Sequence, residues 1–457
     1  MAAAACAPLD PSKDPKYRDI KWSIYRGKAY DITDFIDRHP GGTWLINLAV
    51  GRDCTALFES YHLRCETAAA VFNKLPVLEG FPVDAVPRAP YPNDSDVYTA
   101  IRHRVRKEVF EGGEHVGAHR RGSELAAAAV LSCAVAAYAL YMRSAGWFTG
   151  MLLGIAGAWI GVTIQHCGNH GAMSNNPLIN NLLGLCNDLI GGSSLMWRYH
   201  HQVSHHIHTN DDVLDEDVLS MYPILRFDSR LPRYWFHAYQ HLYIWVAYPL
   251  MHLAFQWGDI NSLFSSRTVG AELLGATTAE KSTVVVGKLL HYFLLLVIPW
   301  LVYGPAVALT GAVTYSISLS IVLALMFFVS HNVPENKPLA PGMSGADDAT
   351  RAVLLNQLDS RDWGVQQILA SANWGGVVGN FFTGGLNLQI EHHLFPAISF
   401  VHYPAIARIV ADECAQRGIR YTQYSSLPAI LSRFLLCMRQ LGVAPYEPAA
   451  LLINKIK

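Results

Sequence analysis

Eight histidines, in three clusters and one isolated position, are the residues of this chain most able to carry chemistry. They are His166 and His170 in HCGNH, His201, His205 and His206 in HQVSHH, His331 in SHN, and His392 and His393 in QIEHH. Neutral imidazole is the commonest protein ligand for iron and zinc, and eight imidazoles in one place would hold two metal ions rather than one. Because the clusters follow apolar runs of membrane-spanning length, the set favours a metal-dependent membrane oxidase.

The spacing within the first two clusters predicts which imidazoles point together. His166 and His170 are four residues apart, so they share one face of a helix that continues out of an apolar run. His201 and His205 repeat this spacing. His206 is expected about 100° further round the helix, toward a second iron.

The third cluster and the isolated histidine complete the set. His392 and His393 are adjacent and should diverge, and His331, beside Asn332, is the candidate for the extra ligand that an eight-imidazole site needs. The alternative interpretation is that these histidines cap helices or lie at a membrane interface. Three clusters with ligand spacing on one predicted face weigh against it.

The remaining histidines and the nearby carboxylates have plainer interpretations. Six histidines are assigned to surface, interface or packing roles: His200, His208, His237, His241, His252 and His291. Two of them, His200 and His208, flank the second cluster, which can therefore be framed differently around His201. Six carboxylates are solvated loop charges or acceptors for imidazole N–H groups: Asp211, Asp212, Asp215, Glu216, Asp217 and Glu391.

The elements that must position these residues are membrane helices. The chain is 51% hydrophobic and only 16% charged, against about 25% charged in soluble proteins. Four runs approach the ~20 residues that cross a bilayer, at about 124–142, 147–165, 284–304 and 307–330. Each pair forms a hairpin, and the basic residues Arg120 and Arg121 place the outer ends in the cytosol. All histidine clusters then lie on one face, and an interrupted stretch at 239–255 lies in the interface.

Composition narrows the partners and the compartment. The chain has 35 basic and 36 acidic residues, so nucleic acid is not an expected partner. Its eight cysteines form no CxxC pair, which favours a reducing compartment. No cleavable secretory signal is visible at the amino terminus, which is expected in the cytosol.

Composition also divides the chain into four parts. Residues 15–82 have the mixed composition of a small soluble module, and 83–122 form a linker and a basic helix before the membrane. The stretch that follows Phe81 contains Pro82, Pro87, Pro90 and Pro92, which disfavour a regular helix. Residues 123–440 form the membrane domain, and 441–457 a tail.

The amino-terminal module resembles a cytochrome b5 domain, a small α+β fold. The match lies in WSIYRGKAYDITDFIDRHPGGTWLINLAVGRDCTALFESYH, residues 22–62. By this resemblance His39 of HPGG and His62 of ESYH are the axial ligands of a b-type haem, and Tyr30, Phe35 and Phe58 are pocket or core residues. Two axial imidazoles leave oxygen no open position, which restricts such a haem to one-electron transfer.

A b5-like module ahead of three histidine clusters resembles the front-end fatty acid desaturases, over about residues 20–440. The sharpest match is QIEHH, where Gln389 stands in place of the histidine that is usual in desaturases without a fused haem module. The resemblance implies a mainly α membrane domain of four spans with a cytosolic helical cap. It also implies a di-iron site, and its expected ligands are His166, His170, His201, His205, His206, His331, Gln389, His392 and His393, with Asn332 acting through water.

The resemblance further implies the reaction and its partners. Electrons from NADH reach the haem through a separate NADH–cytochrome b5 reductase and pass singly to the irons, which activate O2 and oxidise an unactivated methylene pair to a cis double bond. Such C–H bonds are beyond side-chain acid/base chemistry. The family resides in the endoplasmic reticulum membrane, with the amino terminus and the catalytic site in the cytosol.

Within the group, HHQVSHHIHTND, ATTAEKSTVVVGK, DWGVQQ and FFTGGLNLQIEHHLFPAISFVHYPAIA look most like Δ5 desaturases of marine microbial eukaryotes. These act on C20 polyunsaturated chains to give arachidonic or eicosapentaenoic acid. Δ6, Δ8 or Δ4 selectivity, a sphingolipid Δ8 desaturase, a hydroxylase or acetylenase, and either an acyl-lipid or an acyl-CoA substrate remain open. A membrane-anchored b5-type electron carrier is the alternative of a different class.

Overall fold

The computed structural model describes residues 15–86, 95–110, 121–337 and 362–446. Within these ranges the chain is mainly helical, with two two-stranded sheets. Four of the described helices are long and apolar enough to cross a membrane: Gly122–Ser144, Trp147–Asn169, Thr278–Tyr303 and Pro305–Phe328. The prediction of four spans in two hairpins is confirmed, because two residues separate the first pair and Gly304 alone separates the second.

The second and fourth spans pack closely through small residues. A Cβ atom added at Gly150 would lie 2.3 Å from the carbonyl oxygen of Gly311, and one at Gly154 would lie 2.2 Å from Ser318 Oγ. Glycine at these positions lets the two backbones approach each other. The order of the contacts shows that the two spans run in the same direction, so His166 at the end of the second and His331 just after the fourth emerge at the same end.

The amino-terminal module combines one hairpin with short helices. Strands Trp22–Tyr25 and Lys28–Asp31 pair antiparallel, and helices Thr55–Tyr61 and Cys65–Phe72 pack against them. At the HPGG turn, Gly42 has φ +91° immediately before helix Thr43–Ile46, a conformation that residues with a Cβ rarely adopt. Hydrophobic side chains from all of these elements form the core of the module.

Shorter elements cover the end of the spans where the histidines emerge. The described ones of four residues or more, with the second sheet, are Asp96–Glu108, Pro177–Gly184, Cys186–Leu189, Ser194–Trp197, Arg198–His205, Glu216–Leu219, Trp235–Tyr239, Gln240–Ala247, Met251–Ser265, Trp363–Ala370, strand Asn373–Trp374, Val377–Thr383, Gln389–Leu394, Tyr403–Arg417, strand Gln423–Tyr424 and Leu427–Val443. The stretch expected in the interface is interrupted by Tyr248–Leu250, and its position relative to a bilayer stays a prediction.

Some predictions fall outside the described residues or close to their limits. Pro87, Pro90, Pro92 and Arg120 lie outside them, as do residues 447–457 of the predicted tail. The last helix runs to Val443, three residues past the predicted end of the membrane domain. Arg226 holds this end in place, because its guanidinium donates to the carbonyl oxygens of Leu441 and Ala444.

Candidate metal centre and haem cavity

A cavity of about 640 Å³ lies between the amino-terminal module and the membrane domain. Phe35 and Phe58 line it from the module, whereas Tyr30 packs on Phe72 in the module core. The membrane domain closes the other side with residues that include His170, Gly171, Gln202, Phe395, Ala397 and Ile398. The haem cavity of the module therefore opens onto the first histidine cluster.

His39 and His62 face each other across this cavity. Their ring centroids lie 6.2 Å apart, close to the separation of about 6 Å expected for two imidazoles that bind one metal ion through bonds of ~2 Å. His39 Nδ1 lies 3.2 Å from the carbonyl oxygen of Gly42, and His62 Nδ1 lies 2.7 Å from that of Phe58. Because Nδ1–H donates to a carbonyl in each ring, Nε2 keeps its lone pair, and the pair fits the axial positions of a haem.

The eight clustered histidines meet in one buried place. His166, His170, His201 and His392 form one group, and His205, His331 and His393 form a second group. Within each group the nitrogen atoms lie within 4.8 Å of one another. His206 lies between the groups, with Nε2 3.1 Å from His201 Nε2 and 3.0 Å from His392 Nε2, and its ring stacked on His393. These groups have the number and type of donors that two metal ions need.

The hydrogen bonds in the second group leave lone pairs that face each other. His205 Nδ1 donates to Asp215 at 3.0 Å, His331 Nδ1 donates to the carbonyl oxygen of Ala370 at 3.1 Å, and the Nε2 atoms of the two rings are 3.3 Å apart. When both rings are neutral, each carries its one N–H on Nδ1, so neither Nε2 atom has a proton to share. Two lone pairs this close repel each other unless a cation lies between them, and the group therefore fits a metal ion.

The first histidine group also presents nitrogen lone pairs that suit a metal ion. His392 Nδ1 lies 3.3 Å from the Tyr403 hydroxyl, which donates to the carbonyl oxygen of Phe395 and so accepts from the imidazole. Buried Nε2 atoms of His166 and His170 have no hydrogen-bond partner. Unpaired buried nitrogen is costly in a protein interior, and a shared metal ion would satisfy all three rings.

The second cluster is arranged differently from the prediction. Residues 198–205 form a π-helical segment rather than an α-helix, and in a π-helix the repeat is five residues instead of four. His201 and His206 consequently come together, whereas His205 turns to His331 and His393. The sequence spacing predicted that His201 and His205 would point together, and the structure instead places them in different groups.

Gln389 lies at the centre of the second group. Its Nε2 is 2.9 Å from His331 Nε2 and 3.3 Å from His393 Nε2, and its Oε1 is buried without a partner. A half-turn of the amide exchanges these two atoms and directs the oxygen to the focus of the imidazoles. Asn332 follows His331 in the chain and is buried, and its amide nitrogen donates to the carbonyl oxygen of Phe328.

Electrostatics keep most of these imidazoles neutral. Burial lowers the pKa of five rings well below 6.5, namely His170, His201, His206, His392 and His393, and it lowers the pKa of His331 to about 3. Burial also disfavours the charged form of His205, but the nearby carboxylates of Asp217 and Asp215 more than offset it and raise the pKa. Neutral rings bind metal ions without first losing a proton, and the carboxylates increase the basicity of His205 as a ligand.

Four of the histidines that were assigned to plainer roles lie outside the two groups. His200 contacts Asp217 at 2.5 Å, and His237 contacts the carbonyl oxygen of Pro223 at 2.7 Å. His252 and His291 form a separate buried pair whose ring centroids lie 5.5 Å apart. These contacts agree with the packing roles expected for them.

Two aromatic residues at the site were not singled out from the sequence. Trp197 packs on His201 with ring centroids 4.4 Å apart, and its position four residues before that histidine is the one sequence signal for it. Tyr61 directly precedes His62, and its hydroxyl lies 2.6 Å from His170 Nδ1. No sequence signal links Tyr61 to His170, because the two residues are 109 positions apart.

A second cavity of about 350 Å³ reaches the metal centre from another direction. Trp197 and His201 line its buried part, and the exposed residues Arg267 and Val269 line its outer part. Leu319, Leu323 and Phe327 of the fourth span supply an apolar wall. Its dimensions and lining suit part of a long apolar chain with a polar head group near Arg267.

Comparison with known proteins agrees with this geometry. Residues 143–425 match the family model "Fatty acid desaturase", and residues 13–81 match "Cytochrome b5-like Heme/Steroid binding domain". The chain therefore belongs to the fatty acid desaturase family, with a fused cytochrome b5 domain. The cytochrome b5 domain implies haem, and the desaturase domain implies iron. Membership in an enzyme family also sets aside the interpretation as a simple electron carrier.

Curated relatives cover nearly the whole chain. It is 64% identical over 422 residues to "Acyl-lipid (7-3)-desaturase, chloroplastic" of Chlamydomonas reinhardtii, covering 92% of this chain and 81% of that protein. It is 32% identical to "Acyl-lipid (8-3)-desaturase" of Physcomitrium patens, covering 93% and 89% of the two chains. Identity to "Acyl-lipid (7-3)-desaturase" of Diacronema lutheri is 31%, covering 93% and 91%.

Proposed function

We propose that this protein is a front-end acyl-lipid desaturase that inserts a cis double bond between an existing one and the carboxyl end of a lipid-bound acyl chain. The observation that carries the proposal is the convergence of eight imidazoles and Gln389 in one buried site next to the haem cavity. We assign the axial haem positions to His39 and His62. We assign the two irons to the two histidine groups, with His206 between them and Gln389 as a further oxygen donor.

An iron pair held at this site would supply, with O2, two electrons and two protons, the oxidising power to remove two hydrogens from adjacent methylenes, and the O2 would leave as two molecules of water. The protein holds the ligands and shapes the site. Asp215, the carbonyl oxygen of Ala370 and Gln367 accept from the Nδ1 atoms of His205, His331 and His393, which fixes each ring with Nε2 inward. Burial of the whole site excludes bulk water from the reaction.

The second cavity supports binding of the acyl chain at the site. The wall formed by the fourth span is apolar, and polar side chains that include Glu216, Asp217 and Asp259 line other parts of the cavity. Because an apolar wall does not distinguish one methylene from the next, position along the chain would be set by an anchored head group and the depth of the cavity. Arg267 at the exposed end offers a cation to an anionic or polar head group. His201 and Trp197 at the buried end lie where the reacting carbons would meet the metal centre.

The position of the new double bond is proposed from the relatives. We take the figures in "(7-3)" to mean an existing bond at carbon 7 and a new one three carbons nearer the carboxyl group, which is carbon 4. The 64% identity to such a protein favours this position. Δ5 insertion into C20 chains is the second candidate, favoured by the 32% identity to an (8-3) desaturase and by the sequence resemblance.

The test is expression of the full chain in a yeast that makes no polyunsaturated acids. Cultures are fed acids whose first double bond is at carbon 7 or at carbon 8, and products are located by gas chromatography and mass spectrometry. A new bond at carbon 4 supports the first candidate, and a new bond at carbon 5 in C20 acids supports the second. A His393→Ala variant is the control for background, and hydroxylated, acetylenic or long-chain-base products, or no product, would refute both.

The names of the relatives support a lipid-bound substrate, and the sequence resemblance supports the electron donor. If the substrate is lipid-bound, isotope label from a fed acid should appear in the desaturated acyl chain of a membrane lipid before it appears in desaturated acyl-CoA. NADH–cytochrome b5 reductase is the proposed donor if the chain lies in the endoplasmic reticulum with its haem domain in the cytosol. The word "chloroplastic" in the name of the algal relative favours a plastid membrane instead, and a fluorescent fusion of the chain in algal cells decides between the two.

A further inference from the structure

The cytochrome b5 domain is held against the metal centre by several direct contacts. The Tyr98 hydroxyl lies 2.8 Å from the carbonyl oxygen of Leu394, which follows the third histidine cluster, and 3.3 Å from that of Glu59 in the b5 domain. Arg52 donates to the carbonyl oxygen of Glu272 at 2.7 Å. The guanidinium of Arg198 lies 4.4 Å above the ring of Trp44. The two domains are thus joined at points on both sides of the haem cavity.

Tyr61 is the residue that connects the two redox sites most directly. It is the last residue of helix Thr55–Tyr61 and is joined by one peptide bond to His62, a proposed haem ligand. Its hydroxyl lies 2.6 Å from Nδ1 of His170, a proposed iron ligand. The side chain of Tyr61 and one hydrogen bond therefore span the distance between His62, the proposed haem ligand, and His170, the proposed ligand of the metal centre.

The direction of this hydrogen bond follows from the chemistry of His170. Its Nε2 is buried without a partner on the side of the first histidine group. If Nε2 binds the metal ion, the single N–H of the neutral ring is on Nδ1, and Tyr61 accepts from it. The hydrogen bond then fixes the ring of His170 and couples it electronically to the tyrosine.

From this geometry we propose that Tyr61 is the junction through which electrons pass from the haem to the metal centre, along His62, Tyr61 and His170. The proposal rests on the proposed function, because it requires a haem at His62 and an iron at His170. Each transfer oxidises ferrous haem to ferric and reduces one ferric ion of the metal centre to ferrous, with no proton moved between the domains. The reductant is the external electron donor of the b5 domain.

The experiment measures this transfer without O2 and without an acyl substrate. Purified full-length protein in lipid nanodiscs, with both sites oxidised, receives a pulse of electrons from a flash-generated reductant, and haem absorbance is followed as the electron leaves. Tyr61→Phe removes the hydroxyl and keeps the ring. Tyr98→Phe is the matched control, because it removes a hydroxyl that bridges Glu59 of the b5 domain and Leu394 of the membrane domain without reaching an iron ligand. His393→Ala, expected to lose metal, gives the background.

The expected result is haem reoxidation at least about 10-fold slower in Tyr61→Phe, the lower end of the loss of activity that follows removal of a hydrogen-bond partner of a metal ligand. Its haem spectrum and iron content should equal those of the wild type, and Tyr98→Phe should react at the wild-type rate. Three outcomes would overturn the proposal: an unchanged rate in Tyr61→Phe, a slow rate accompanied by loss of iron, which makes Tyr61 a positioning residue only, or equal slowing in Tyr98→Phe.

The test is separate from that of the proposed function. Electron transfer from haem to iron is measured with no acyl chain present, so an unexpected double-bond position leaves its result unaffected. A wild-type haem that stays reduced as long as that of His393→Ala would show that the histidine groups accept no electron. That result would overturn the electron path and the di-iron assignment together.

Discussion

Glu391 provides the sharpest test of how the third histidine cluster is held in place. It lies between Gln389 and His392 but points away from the metal centre, fully buried. Asn373 donates to its Oε2 at 2.7 Å, and the Tyr421 hydroxyl lies 3.0 Å from its Oε1. Burial raises the pKa of the Glu391 carboxyl to about 8, although the hydrogen bonds from Asn373 and Tyr421 act in the opposite direction.

The sign of the effect on stability follows from this pKa. The folded protein binds the proton more tightly than the unfolded chain, whose carboxyl titrates near 4.5. The stabilisation is complete below the unfolded value and is lost as the pH rises to about 8. At about 1.4 kcal/mol per pH unit, the full loss is on the order of 5 kcal/mol, of which about 3 kcal/mol falls above pH 6.

Glu391→Gln should remove this pH dependence. A glutamine keeps the size of the side chain, and its oxygen can still accept from Asn373, so the fold and the desaturase activity should be kept. The free energy of unfolding in detergent is measured at about pH 6 and about pH 9. Glu66→Gln, on a carboxylate that is 70% exposed, is the control. The reasoning fails if Glu391→Gln loses as much stability between these pH values as the wild type.

Other substitutions test separate parts of the protein. His62→Ala should remove the b-type haem spectrum and keep the iron of the histidine groups, as measured by absorbance and metal analysis; retained haem would contradict the axial assignment. His393→Ala should abolish desaturation in yeast and leave the haem spectrum unchanged. Asp215→Asn should lower the affinity for iron by about 10–100-fold, because the imidazole of His205 loses its charged acceptor; an unchanged affinity in a metal titration would argue against this role. Gly154→Val should lower the free energy of unfolding by at least about 1–3 kcal/mol, since a Cβ there would lie 2.2 Å from Ser318 Oγ, and an unchanged melting temperature would contradict the packing described.

Much of the fold could be predicted because it depends on local properties of the chain. Runs of apolar residues predict membrane spans by length alone, and all four predicted runs overlap the helices of the structure. The haem module was recognisable because HPGG and ESYH lie within a short, dense motif. The candidate ligands were recognisable because few residue types bind iron and their clusters are compact.

The second histidine cluster shows where such reasoning stops. An α-helix was the natural expectation for HQVSHH, but residues 198–205 form a π-helical segment, in which Arg198 and Gln202 donate to Asn169 at the end of the second span. In a π-helix the backbone hydrogen bonds join residues five apart instead of four, and His201 therefore lies next to His206 while His205 lies next to His331 and His393. This choice is made by tertiary contacts, which the local sequence does not contain.

The sequence by itself determined the family, the number of spans, the haem ligands to expect and the types of residue available to bind metal. Only the tertiary structure decided which imidazoles share a group, that Gln389 sits between two of them, and that Tyr61 reaches His170. Hydropathy and ligand chemistry belong to individual residues and short segments, so they can be read along the chain. The grouping of side chains more than a hundred residues apart depends on how spans and domains pack, and that is settled only when the whole chain folds.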